Sequence, residues 1–233
     1  MTLRALIFDV DGTLTETEEA HRRAFNESFA KAGLDWHWSV TEYTRLLGTT
    51  GGKERLRRYR DEIGAARPSD EEIVTLHADK TARYAEILRD EVLELRPGVR
   101  DLIDVGRKAG LKIAVATTTS RSNVDALCRN CWEANAESVF DVIAAGDEVA
   151  EKKPAPDVYL LALDRLGVEA TQAIAFEDSL PGLNAALSAG LRCMVTPSAH
   201  TRHQDFSDAT WRGHDLTRAH LPGSLAYLFE NQP

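Results

Sequence analysis

The sequence predicts an α/β protein: a Rossmann-like, doubly wound parallel sheet with a small helical cap inserted after the first strand. Three observations carry this. Short, nearly continuous apolar runs recur along the chain with amphipathic stretches between them, as in parallel strands covered on both faces. Each run stops abruptly at polar, Gly or Pro residues. One long interval, residues 16–90, has helical periodicity and no strand-like run.

The elements follow in order. The first run, Leu3-Arg4-Ala5-Leu6-Ile7-Phe8, empties into Asp9 and then Asp11, Gly12 and Thr13. In the interval after it, Ala20, Ala24, Phe25, Phe29 and Ala32 fall on one side of a helix. Ser69 and Glu72 form a capping box at the head of another. The segment Glu94–Val99 returns the chain to the sheet. Leu111–Thr117 is the next strand and ends in a cluster of hydroxyls; Phe140–Gly146, Ala173–Asp178 and Leu191–Pro197 supply three more. Helical stretches at Gly98–Ala109, Asn123–Trp132, Asp157–Leu166 and Pro181–Ala189 alternate with them. The expected division is a catalytic core of residues 1–15 plus 91–233 and a cap of residues 16–90.

The bulk properties narrow the function. The chain has 233 residues and a formal net charge of −9. That length can enclose a sizeable core. The acidic balance argues against a nucleic-acid partner, since phosphate backbones need basic surface. There is no apolar run long enough to span a membrane and no signal-like start, so a cytoplasmic protein is expected, a monomer acting on a small molecule. Cys128 and Cys131 make a lone C-x-x-C and Cys193 lies in an apolar run; the pair reads as two cysteines one helical turn apart. His200, His203, His214 and His220 are irregularly spaced in a turn-rich tail and read as surface histidines, not a metal site.

The strand ends carry the chemistry. In a parallel sheet Asp9, Asp11, Thr117, Thr118, Glu177 and Asp178 converge on one edge, joined by Lys153 at the head of a helix. Singly, each has a plainer reading: an Asx turn, a helix N-cap, a solvated lysine. Jointly they would be a coincidence repeated at every strand end. Clustered carboxylates repel one another unless a cation sits among them. Hard oxygen ligands with room for phosphate and water suit Mg²⁺.

These residues resemble the haloacid dehalogenase superfamily, specifically its aspartate-nucleophile phosphatases. Four motifs appear in order: Asp9-Val10-Asp11-Gly12-Thr13, then Thr117, then Lys153 before Pro154, then Glu177-Asp178. The resemblance covers the whole chain. It implies that Asp9 attacks phosphorus and that Asp11 is the general acid and base. It further implies Mg²⁺ held by Asp9, the Asp11 carbonyl and Asp178, with Glu177 beside them, and phosphoryl oxygens held by Thr117, Lys153 and the backbone around Thr118. Gly12 would let the turn bring both acids to one side.

Thr17, His21 and Lys80 fall where the β-phosphoglucomutase branch of the superfamily carries its own. The segment Gly48–Arg55, read as a Gly-rich cap loop, resembles the CbbY-type phosphatases associated with the Calvin cycle, as do Ala114–Ser120 and Ala150–Asp157. That likeness implies a ketopentose bisphosphate substrate, xylulose-1,5-bisphosphate above all, with Thr17, His21, Lys53, Arg55, Lys80 and Thr118 as substrate contacts. A phosphosugar mutase of the β-phosphoglucomutase type is the alternative. A non-catalytic binding module on the same fold is disfavoured by the intact Asp9 and Asp11.

Overall fold

The computed structural model describes residues 2–230. Strand β1 (Ala5–Phe8) leads into four consecutive helices, α1 (Glu18–Lys31), α2 (Val40–Leu46), α3 (Gly52–Glu62) and α4 (Asp70–Asp90). Strands and helices then alternate: α5 (Val99–Lys108), β2 (Lys112–Ala116), α6 (Arg121–Trp132), α7 (Ala136–Val139), β3 (Val142–Ala144), α8 (Asp157–Leu166), β4 (Ala173–Glu177), α9 (Leu180–Ser188) and β5 (Arg192–Val195). A short β6 (Trp211–Arg212) and α10 (Gly223–Ala226) close the chain.

The strands form one parallel sheet in the order β3-β2-β1-β4-β5-β6. The chain winds outward from β1 in one direction, then crosses to β4 and winds outward in the other. This reversal opens a crevice at the carboxyl ends of β1 and β4, where such sheets bind ligands. All five strands read from the sequence are present. The sixth, β6, has two residues and lies in the turn-rich tail, too short to leave a periodic signal.

Alternation along each strand sorts the core into two layers. Leu6, Phe8, Ile113, Val115, Ile174 and Phe176 face α5 and α6, meeting Leu102, Ile103, Val124 and Leu127. Ala5, Ile7, Ala114, Ala116, Ala173 and Ala175 face α8 and α9, meeting Val158, Ala162, Leu183 and Ala186. The alanines on this second face let its helices approach closely. Phe8 and Phe176 stack with ring centroids 4.6 Å apart, tying β1 to β4. Full burial of each large apolar side chain stabilises by about 1.5–3 kcal/mol. All four residues of β1, the strand that delivers Asp9, are completely enclosed.

The four inserted helices have a core of their own, made by Phe25, Phe29, Trp38, Tyr43, Leu46, Leu56, Ile73 and Leu76. Ala20, Ala24, Phe25 and Phe29 are buried as the periodicity requires; Ala32 is exposed because α1 ends there, with Ala32 as its C-cap. At the head of α4, Ser69 accepts from the Glu72 N–H and Glu72 accepts from the Ser69 N–H, the expected capping box. The chain leaves and re-enters the sheet along paired segments. Thr15 bridges antiparallel to Leu95, Thr15 Oγ1 donates to Glu94 O at 2.6 Å, and Arg96 N–H donates to Leu14 O at 2.8 Å.

Among the described residues no helix is long and apolar enough to cross a membrane. All three cysteines are free, and burial pushes the Cys128 thiol up to about 12 and that of Cys131 up to about 11. Thiols held protonated in this way are poor nucleophiles and poor metal ligands.

Candidate active site

The turn after β1 depends on Gly12. Its φ of 86° lies in the left-handed region, and a Cβ there would sit 2.3 Å from Asp178 Oδ2. Only glycine allows both the turn and the close approach of Asp178. Asp9 leaves the sheet with its N–H still donating to Phe176 O at 3.0 Å. Its carboxylate therefore lies at the crevice between β1 and β4.

Lys153 is the hub of the buried cluster. Its ammonium donates to Asp9 Oδ1 at 2.5 Å, Glu177 Oε1 at 2.7 Å and Ala116 O at 2.9 Å. Tyr159 O–H donates to the same Glu177 oxygen at 2.6 Å. Lys153, Tyr159, Glu177 and Asp178 are all buried, and Asp9 nearly so. Gly182 makes room for Glu177, because a Cβ there would meet its carboxylate at 1.9 Å. Glu177 lies beneath the cavity, engaged with Lys153 and Tyr159, whereas Asp9 and Asp178 line it.

Asp9, Glu177 and Asp178 each offer an oxygen within 4.8 Å of the others. Three carboxylates face one ammonium, leaving an excess of negative charge. Burial pushes both Asp9 and Asp178 above the usual carboxylate range, and the neighbouring Glu177 carboxylate adds to this; Asp178 reaches about 8. Lys153 opposes the rise at Asp9 and is itself raised by the two carboxylates it touches, against the effect of burial. A divalent cation among these oxygens would offset both penalties, so the donor set fits a hard metal ion.

Asp11 is held in a different environment. Thr17 Oγ1 donates to its Oδ1 at 2.6 Å, and His21 Nε2 lies 3.0 Å from the same oxygen. Lys80 Nζ is 2.7 Å from His21 Nδ1. As an ammonium Lys80 can only donate, and Nδ1 then accepts while the imidazole proton is on Nε2, directed at Asp11. Burial, and after it the Lys80 charge, lower the proton affinity of His21, against the pull of the Asp11 carboxylate. Burial works against the charge of Asp11, but the electrostatic attraction of His21 and the hydrogen bonds from His21 and Thr17 hold it below the usual carboxylate range. The His21 ring stacks on Tyr84 at 4.0 Å, and the Lys80 ammonium lies over Phe25 and Tyr84 at 4.8 Å and 5.2 Å. Burial pushes Lys80 down to about 7.

The inserted helices roof this edge. Thr50 Oγ1 donates to the backbone carbonyl of Lys153, and Thr44 Oγ1 lies 2.8 Å from His200 Nδ1. Lys53 and Arg55 line the same cavity as Asp9 and Asp11, but not from a loop as the sequence suggested. The loop ends at Gly51, with φ 85°, and both residues stand on the first turn of α3. Lys53 Nζ is 3.9 Å from Asp147 Oδ1 across the cavity mouth. Arg55 Nη1 donates to Tyr43 O–H at 3.0 Å.

Thr118 lines the cavity with Thr119 and Ser120. Thr117 is buried just behind, its hydroxyl accepting from Thr119 N–H at 3.2 Å. Thr17 is fully buried and touches Asp11, outside the cavity lining. The tail histidines form no cluster at this site: His214 and His220 flank Asp215 at 3.4 Å and 2.7 Å.

Sequence reasoning missed Glu18, Tyr159 and His77. His77 lines the cavity one turn before Lys80 on α4; burial and the nearby lysines push it down to about 3, so it is neutral. Its three-residue spacing from Lys80 was a readable signal. Tyr159 left no signal, because its partner Glu177 is set by the sheet and not by local spacing.

Comparison with known proteins agrees with this geometry. Residues 3–190 match the haloacid dehalogenase-like hydrolase family. The protein CbbY of Rhodobacter capsulatus is 57% identical over 219 residues, covering 94% of this chain and 96% of that protein. The protein CbbY of Cereibacter sphaeroides is 54% identical over 208 residues, covering 89% of this chain and 90% of that one. A crystal structure of a mutant CbbY from Rhodobacter sphaeroides in complex with xylulose-(1,5)bisphosphate superposes with a TM-score of 0.88 at 51% identity, covering 92% of this chain and 95% of that one. The fold, the cluster of strand-end carboxylates around Lys153 and these matches place the chain in the haloacid dehalogenase-like hydrolase family, on its CbbY branch.

Proposed function

We propose that this hydrolase is a Mg²⁺-dependent phosphatase acting on a small sugar bisphosphate, xylulose-1,5-bisphosphate in first place, through an aspartyl-phosphate on Asp9. The observation that carries the reading is the separation of the two first-turn carboxylates. Asp9 shares Lys153 with Glu177, while Asp11 is turned to Thr17 and His21. This difference supports nucleophilic attack by one acid and proton transfer by the other. The bisphosphate preference rests on likeness to CbbY and on the cations above the site.

In this reading Lys153 holds Asp9 in one rotamer and faces a transferring phosphoryl oxygen. Asp9, Asp178 and the Asp11 carbonyl would hold the metal, with Glu177 fixing Lys153 from below. Mg²⁺, when bound, screens the repulsion between carboxylate and phosphate. The approach of a dianionic phosphate raises the proton affinity of Asp11. Asp11 then gives its proton to the leaving oxygen and takes one from the water that hydrolyses the aspartyl-phosphate. Thr17 and the Nε2–H of His21 aim it. Thr117 and Thr118 contribute donors to the phosphoryl oxygens.

We take residues 16–90 as the cap that selects the substrate and residues 1–15 with 91–233 as the catalytic core. The free cysteines suit a reducing cytoplasm, where the enzyme would work as a monomer. The test is phosphate release from a panel of sugar mono- and bisphosphates, with Mg²⁺ and with chelator, in wild type and Asp9→Asn. Metal-dependent release that the variant loses by several orders of magnitude is expected. Substantial release by Asp9→Asn excludes the nucleophile. Release without any added bisphosphate cofactor separates this activity from that of a mutase.

A further inference from the structure

The cavity contains carboxylates that an anion site has to accommodate. Around it stand Lys53, Arg55, Lys80 and Lys152, all suited to anions. Among them, outside the metal cluster, stand Glu54, Asp147 at the mouth and the carboxylate of Glu18, half-buried in the first turn of α1. A carboxylate facing the same space as an anionic substrate repels it. In water that repulsion is small, but inside a partly closed pocket it is several times stronger. The position is costly unless Glu18 meets a part of the substrate that donates hydrogen bonds.

The contacts of Glu18 support such a role. Its Oε2 accepts from Tyr43 O–H at 2.7 Å, and Tyr43 O–H in turn accepts from Arg55 Nη1 at 3.0 Å. Tyr43 is fully buried. The chain Arg55–Tyr43–Glu18 therefore anchors one carboxylate oxygen to the interior of the inserted helices. No hydrogen bond engages the other oxygen, Oε1, among the described residues. An ionised carboxylate can only accept. The guanidinium at the far end of the chain lines the cavity too, so a single network presents one cation and one free acceptor to the same substrate.

We infer that Glu18 is a specificity-determining residue that accepts a hydrogen bond from a hydroxyl of the substrate's carbon chain, so that the cavity selects polyhydroxylated phosphate esters over phosphate esters lacking that hydroxyl. The inference rests on the sugar-phosphate reading of this site and deepens it. A site built to pair with a hydroxyl discriminates strongly, because an analogue lacking the group leaves the buried acceptor unpaired.

The experiment compares wild type, Glu18→Gln and Glu18→Ala on two substrates, xylulose-1,5-bisphosphate and p-nitrophenyl phosphate, with Mg²⁺. The glutamine variant keeps an oxygen for Tyr43 while turning the second position into a donor. It removes the proposed contact and preserves the anchor. The ratio of kcat/KM for the sugar bisphosphate over the aryl phosphate is expected to fall roughly ten- to a hundredfold in both variants, the range for a hydrogen bond to a charged group. Competitive inhibition by inorganic phosphate is expected to become tighter, since a negative charge has gone. An unchanged ratio, or a fall in Glu18→Ala alone with Glu18→Gln like wild type, overturns the inference and leaves the phosphatase reading standing. Wild-type turnover of the aryl ester with none on any sugar phosphate overturns both.

Discussion

Lys153 Nζ lies 2.5 Å from Asp9 Oδ1, and both groups are removed from solvent. The pair is the structural centre of the site: it joins the helix α8 side of the cavity to the end of β1. Removing the ammonium leaves Asp9 and Glu177 facing each other without compensation. Breaking a buried ion pair in this way typically costs about 3–5 kcal/mol. Lys153→Met is therefore expected to lower the Tm of the metal-free protein markedly and to abolish phosphate release. A variant that melts like wild type would mean the cluster relaxes by protonation alone.

Metal binding should be visible without turnover. Asp9 and Asp178 have oxygens close to each other and raised proton affinities, so Mg²⁺ is expected to raise Tm, by about 2.7 kcal/mol of stability at a hundredfold excess over Kd. Asp178→Asn should lose that shift. Its metal-free stability has a definite sign. Asp178 has a folded proton affinity near 8, above its value of 3.8 when unfolded, so the wild type loses stability as pH rises through that window. Asparagine carries no charge, and at pH 8.5 the metal-free variant should melt no lower than wild type. Calorimetry with and without Mg²⁺ decides both points.

Asp11→Asn separates proton transfer from nucleophilic attack. Asparagine keeps an acceptor for Thr17 and His21, so the turn should survive. Loss of the acid is expected to cost ~10²–10⁴-fold on sugar phosphates. Aryl phosphates leave without much help, and the deficit in single-turnover phosphorylation of Asp9 should shrink for them. An equal deficit on both substrate types would count against Asp11 as the acid.

How much of this was legible in the sequence depends on the distance between partners. Asp9, Asp11, Thr118 and Asp178 could be placed because continuous apolar strands end at them, and parallel strands end on one edge. Gly48–Arg55 was read as a Gly-rich loop, yet of its Gly51-Gly52 pair only Gly51 has a positive φ, and Gly52 opens α3. Lys53 and Arg55 are therefore held on a helix, at fixed positions. Glu18 and Tyr43 are separated by 25 residues and meet only because α1 and α2 share the core around Phe25 and Trp38. Nothing in local spacing announces that contact. Thr117 and Glu177 stand just behind the cavity lining: the Thr117 hydroxyl accepts from Thr119 N–H and Glu177 accepts from Lys153, while Glu177 still offers an oxygen within 4.8 Å of Asp9 and Asp178.

Lys80 gives a pH-dependent stability with a calculable sign. Its proton affinity falls from 10.5 to about 7 on folding, chiefly through burial. Between those values the unfolded chain binds the extra proton, so this residue's contribution to stability rises with pH across the window. Lys80→Met removes the penalty. At pH 6.5 the variant is expected to melt higher than wild type, by at least the ~2–4 °C that 1 kcal/mol is worth in a chain of this size. The difference should shrink towards pH 10. A constant or growing difference would show that Lys80 is not the group being discharged.

The cations above the cavity are the physical basis for a bisphosphate preference, and the structure ranks them. Lys80 is committed to His21 and lies over two aromatic rings. Arg55 is committed to Tyr43. Among the described residues Lys53 has only Asp147, at 3.9 Å and partly exposed, so it is the easiest to recruit. A second phosphate, carried several bonds away from the one at Asp9, finds its charge partner on the inserted helices among these three, since Lys153 is occupied at the core edge and Lys152, the other lysine lining the cavity, donates to Gly146 O. Lys53→Ala is therefore expected to weaken xylulose-1,5-bisphosphate more than the corresponding monophosphate, by roughly ten- to a hundredfold in the ratio of kcat/KM values. Asp147→Asn, which frees Lys53 from this competitor, should move the same ratio the other way. Rising salt should erode the preference in wild type and have little effect in Lys53→Ala, because a partly exposed charge contact is screened. If Lys53→Ala, Arg55→Ala and Lys80→Ala all leave the ratio where it was, the inserted helices do not read a second phosphate, and the bisphosphate assignment loses its physical support.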